Sequence, residues 1–221
     1  MRVAALAVVA LLAASAADAA LDVDLKTYAE ARRRGEIVTI EGRVYNERRK
    51  PNADDVPMPH AVVFVLPRSE ALVRRLDELR ARARESMSGF RDAALQMRRA
   101  RESYEREVWQ AGAPDLVQST MVDAGGRFVI SDLPAGRYLV WVTNSDFVDS
   151  KAKVPDRDRG RYRLPPRLVG YYAERAWLRE IETAPGSVTT LELNDRNVWF
   201  SGVVEDRVLD AGSRYEPAPR P

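Results

Sequence analysis

Five aromatic residues in the second half of the chain, Trp141, Tyr171, Tyr172, Trp177 and Trp199, are the side chains best suited to holding a ligand. Each offers a flat apolar face with a polar edge, a combination that stacks on sugar rings. If Tyr138, Val140 and Val142 face a core, alternation along an extended strand turns Leu139 and Trp141 to the opposite side. Two readings follow: an exposed platform for carbohydrate, or a surface covered by another part of the same chain.

Other chemistry is thinly represented. The chain has one histidine and no cysteine, which removes His-rich metal sites, two-histidine acid–base pairs, disulfides and thiolate ligands together. His60 follows Met58 by two positions, as in a soft copper site, but five methionines scattered through apolar stretches read as packing. A Ser-His-Asp triad needs a single histidine, yet no Gly-x-Ser-x-Gly elbow is present. The carboxylate pairs Asp54-Asp55 and Asp146 with Asp149 could hold calcium or serve a hydrolase. They lack the regular Asp-x-Asp-x-Asp-Gly spacing, and solvated loop acids are the plainer account. No glycine-rich phosphate loop follows a strand and opens a helix. The expectation is a protein with no cofactor, no metal and no catalytic residues.

The elements that position these residues begin after a leader. Met1 and Arg2 give a positive start, Val3 to Ala14 is an uncharged apolar run, and Ala17-Asp18-Ala19 has the small-x-small form of a cleavage site. The run is shorter than the roughly 20 residues needed to span a bilayer. Residues 1–20 therefore read as a signal peptide, with no membrane span after cleavage and a periplasmic or secreted destination. With Lys plus Arg at 35 and Asp plus Glu at 33, charge is nearly balanced, and a nucleic-acid partner is not implied.

Residues 21–35 contain a short helix, with Asp24 at its N-cap, Leu25, Tyr28 and Ala29 on one side, Arg32, Arg33 and Arg34 at its end and Gly35 to stop it. Ile37 to Tyr45 alternates as a half-buried strand. Ala61 to Leu66 is apolar on both faces, so Val62, Phe64 and Leu66 need cover from outside the sheet. Residues 69–110 then change character: no proline, one glycine and dense Arg, Glu, Ala and Leu. Leu72, Leu76, Leu79 and Ala83 form one helical stripe, and Ala93, Met97, Ala100 and Tyr104 form another. One helix over this span would be about 60 Å long, while Ala111 to Leu116 can return only about 20 Å. The chain must turn, and Ser88-Gly89 is the expected place.

Strands resume at Val117 to Val122, Arg127 to Ser131 and Arg137 to Thr143, separated by the Asp123-Ala124-Gly125-Gly126 turn and the Leu133-Pro134-Ala135-Gly136 corner. Asn144-Ser145-Asp146 reads as a turn closing the last of these, and Ser150 to Pro166 as a surface loop. Trp177 to Thr183 and Val188 to Leu193 read as a final hairpin. Asn197 to Glu205 is a further strand, either an added edge or the first strand of a vestigial second module, before a disordered Pro-rich tail.

The run from Asp123 through Leu133-Pro134-Ala135-Gly136-Arg137-Tyr138 to Val142, preceded by Gly42-Arg43-Val44 and Pro59-His60-Ala61-Val62-Val63, resembles the carboxypeptidase regulatory-like domain family. The resemblance spans less than half of the chain after the leader. It departs from the family pattern in the helical insert and in His60, which stands where glycine is common. It implies a mainly β fold, a seven-stranded immunoglobulin- or prealbumin-like β-sandwich over residues 36–195, with an extra strand and tail over 196–221. The family is usually accessory, bracing other domains or binding carbohydrate or protein surfaces, and brings no catalytic residues. Since one fold carries many roles, three functions are expected in order: an exported accessory protein whose helical hairpin, residues 69–110, meets a protein partner; a carbohydrate-binding module using the five aromatics; and, last, a hydrolase using paired loop carboxylates. Oligomeric state is not legible.

Overall fold

In a computed structural model the described residues are 21–48, 50, 53–149 and 167–209. The leader, the loop expected at Ser150 to Pro166 and the Pro-rich tail lie outside them. Among the described residues the fold is mainly β, with two sheets and three α-helices.

Strand β1 (Ile37–Asn46) is the centre of the first sheet, and its alternating residues Val38, Ile40 and Val44 are buried as the sequence pattern requires. It is flanked by β5 (Arg127–Pro134) antiparallel and by β8 (Val188–Asn194) parallel, with the two-residue β2 (Val56–Pro57) pairing its end at Tyr45 and Asn46. The second sheet is antiparallel, in the order β4 (Gln118–Met121), β3 (Val62–Pro67), β6 (Arg137–Asp149), β7 (Arg167–Glu182) and β9 (Phe200–Leu209). Inward residues of both sheets, among them Ile40, Phe128 and Leu193 from one and Val65, Tyr138, Val140 and Trp177 from the other, belong to one hydrophobic core.

The nine strands exceed the seven expected by the two-residue β2 and by β9, which joins the edge of the second sheet. Two local expectations need correction. β7 and β8 are not a hairpin, because they lie in different sheets. Asn144-Ser145-Asp146 is not a turn; β6 continues to Asp149, since β7 supplies a strand partner for every residue and side-chain partners for the polar ones. Asn144 and Asp146 both accept from Arg175. The Asp123 turn carries the chain from one sheet to the other, its carboxylate accepting from the Gly125 and Arg127 amides at 2.8 Å.

Helix α1 (Leu25–Arg33) is capped by Asp24, which accepts from the Lys26 amide at 3.0 Å. Its buried face is Tyr28 and Ala31 rather than Ala29, because it docks through one edge. The Tyr28 ring lies edge-on to Tyr138 at 5.4 Å. Burial raises the hydroxyl pKa of Tyr28 above the ordinary value.

Gly42 explains the glycine of the Gly-x-Val pattern. A Cβ there would come within 2.5 Å of the Leu191 carbonyl oxygen and 2.7 Å of the Phe128 ring, its cross-strand neighbour. Gly42→Ala should therefore lower stability by about 1–3 kcal/mol, read as a fall in the urea midpoint at unchanged slope.

Residues 69–110 form two helices, α2 (Glu70–Arg82) and α3 (Met87–Gln110). Ser69 caps the first, accepting from the Leu72 amide at 3.0 Å, and Ser86 caps the second, accepting from the Gly89 amide at 2.9 Å. The turn thus falls before Ser86, not at Ser88-Gly89. Gly89 sits in the first turn of α3, where a Cβ would be 2.6 Å from the Arg82 carbonyl, so it permits close approach rather than breaking the helix. No helix among the described residues is long and apolar enough to cross a membrane.

Candidate functional site

The outer face of the second sheet is apolar where sequence alternation places Phe64, Leu66, Leu139 and Trp141, paired across β3 and β6 as Phe64 with Trp141 and Leu66 with Leu139. Helix α3 crosses this face from one side to the other. The Tyr104 hydroxyl donates to the Pro67 carbonyl at the end of β3 at 2.8 Å, and burial raises its pKa. One turn back, the Arg101 guanidinium lies 3.7 Å from the Phe64 ring centroid. Arg98 then reaches Glu174 of β7 at 2.9 Å, and Ala94 closes on Gly202 of β9, where any Cβ would be 3.3 Å away. Helix α3 therefore uses two faces, one toward α2 and one toward the sheet.

Between α3 and strands β3, β6 and β7 lies a cleft of about 360 Å³, near the lower end of the range for small-molecule sites. Val62, Phe64 and Trp141 form its apolar side. Its polar side holds Thr143 and Ser145 of β6 and Glu174 of β7, with Arg98 and Arg101 above and His60 beside them. Glu174 is 3% exposed, a burial a carboxylate tolerates only when paired. It accepts from Arg98 Nη2 and, at 3.4 Å, from Ser145 Oγ. Arg101, 7% exposed, is matched by Glu105 and by Glu102 at 3.6 Å. Each cation facing the cleft thus has its own carboxylate, leaving a site rich in donors and acceptors but with little net charge. The buried Trp141 indole N–H has no hydrogen-bond partner among the described residues.

The five aromatics do not form one platform. Trp141 is only 2% exposed, beneath the hairpin and 6.1 Å from Trp199, which itself lies under Arg80. Trp177 is fully buried in the core between the sheets and donates to the Asn194 carbonyl at 2.8 Å. Tyr172 packs on Phe147 on the outer face, farther along the β6–β7 pair, and Tyr171 alternates to the opposite face. Stacking on exposed Trp141 and Trp177 is thereby corrected: their burial comes from the hairpin on one side and the first sheet on the other.

The loop acids do not converge. Asp55 accepts from the Arg48 amide at 3.0 Å and Asp146 pairs with Arg175, while the Asp149 side chain lies outside the described residues. Met58 is a core residue and His60 is exposed, so the two do not make a joint site. No group of three or more His, Asp or Glu able to hold a metal is found among the described residues. Sequence reasoning missed Phe64, Arg98, Arg101, Thr143, Ser145 and Glu174 as site residues. Phe64 carried a signal, as did Val62 beside it, as apolar side chains on the face that needed cover.

The fold and cleft thus define a mainly β protein of two sheets, one of them roofed by an inserted helical hairpin. No family model matches the chain, and no curated protein matches it. Among solved structures, a Pseudomonas aeruginosa protein described as a "putative carbohydrate binding protein" is similar at 14% identity and TM-score 0.40, over 71% of this chain and 86% of that one. A likeness at that level carries no argument about what this chain binds.

Proposed function

We propose that this is an exported, non-enzymatic binding protein whose cleft beneath α3 takes a small neutral carbohydrate of one or two rings. The composition of the cleft carries the reading: hydroxyl, carboxylate and guanidinium groups whose charges cancel locally lie beside an apolar edge of Val62, Phe64 and Trp141. A neutral polyol satisfies such groups by accepting from Arg98 and donating to Glu174. An anionic or cationic ligand would leave one partner of an ion pair uncompensated. The sandwich of the carboxypeptidase regulatory-like resemblance is part of the same proposal. Setting aside β2 and β9 leaves seven strands in two sheets sharing one core.

A protein partner would meet only the charged surface of the hairpin, because the apolar stripes of both helices are spent inside the molecule. Calorimetric titration with maltose, cellobiose, lactose and diacetylchitobiose tests the proposal. At least one should bind, and Glu174→Gln should weaken it roughly 10- to 150-fold, the range for a hydrogen bond to a charged group. Absence of binding by all four at millimolar concentration, or affinity indifferent to Glu174, would overturn it.

A further inference from the structure

His60 sits two residues before β3 with φ of +66°, a left-handed conformation that glycine adopts without steric cost and other residues rarely enter. Asp132 (φ +62°) shares the conformation but has a local partner, its carboxylate accepting from Ser131 Oγ at 3.2 Å. His60 has none: its backbone N–H donates to Val122 at 3.1 Å, while its imidazole makes no hydrogen bond or ion pair among the described residues. His60 is nevertheless one of the residues lining the cleft, together with Thr143, Ser145 and Glu174. Strain held at a cleft without a compensating contact points to a use for the side chain.

We propose that His60 is a ligand-contacting residue of this cleft, its imidazole exchanging a hydrogen bond with a hydroxyl of the bound sugar. This rests on the carbohydrate reading above. An imidazole in its neutral form offers one donor and one acceptor, which suits a hydroxyl that itself does both. The backbone strain is then the cost of presenting that ring where glycine would present nothing.

The substitution His60→Gly separates the two roles. It should raise the thermal midpoint by about 2–4 °C through relief of strain and weaken binding of the best of the four disaccharides roughly tenfold, the loss of one hydrogen bond. A residue merely tolerated in this conformation would give the stability gain with affinity unchanged, and that result overturns the proposal.

The chain's only histidine provides a second reading in protein prepared without a histidine tag. Its imidazole C–H resonances should shift during the sugar titration and saturate with the calorimetric affinity. If Glu174→Gln weakens binding while the imidazole resonances stay fixed, the role of His60 falls and the carbohydrate reading stands. If none of the four sugars binds, both fall.

Discussion

Replacing residues 69–110 by a short linker should yield a chain that aggregates rather than a soluble β-rich monomer. The hairpin covers Leu66, Leu139, Trp141 and Phe200, all buried on the outer face of the second sheet. An aromatic side chain buries 150–250 Å², so at about 25 cal/mol per Å² uncovering Trp141 and Phe200 forfeits at most about 4–6 kcal/mol each. That sum rivals the whole stability of a typical domain, about 5–15 kcal/mol. Size-exclusion chromatography with light scattering reads the outcome. A deleted form that stays monomeric and folded would show that the hairpin is an appendage, and would return attention to its charged surface as a site for a protein partner.

Trp177→Ala should cost about 3–5 kcal/mol, as for other large-to-small changes in cores, because the ring is fully buried between the sheets. The Asn194 carbonyl also loses its donor. Urea denaturation should show the loss, while sugar affinity of the remaining folded protein stays near the original. The reverse pattern, unchanged stability with binding abolished, would restore Trp177 to a ligand surface. Of the five aromatics, only Trp141 lines the cleft, and it too is chiefly a packing residue.

Much of the scaffold was legible in the residues themselves. Alternation in Ile37 to Tyr45 gave the central strand, and the two 4-3-4 stripes between Leu72 and Tyr104 gave the helix pair. The apolar outward face of Val62, Phe64 and Leu66 required a cover. What failed did so for tertiary reasons. Ser88-Gly89 has the composition of a break, but Ser86 is the stronger cap, and close approach to α2 is what Gly89 provides. Asn144-Ser145-Asp146 has turn chemistry, yet β7 supplies strand and side-chain partners and the strand runs on.

The site was less legible than the scaffold. Arg98, Arg101 and Glu174 look like ordinary surface charges in a chain rich in Arg and Glu. Only the crossing of α3 over β3, β6 and β7 brings Arg98 to Glu174 and lays Arg101 on Phe64. Residue types that a linear reading assigns to solvent become a cleft because a helix and a sheet enclose them. The aromatics, which a linear reading assigns to a ligand, mostly serve the core instead.

The most direct test is a crystal structure of the protein with the tightest-binding of the four disaccharides. Sugar density between α3 and strands β3, β6 and β7, with hydroxyls in hydrogen-bond range of Glu174 and Arg98, is the predicted result. Sugar seated elsewhere, for example on the outer face of the first sheet beside Tyr45, with the cleft unchanged, would contradict the account.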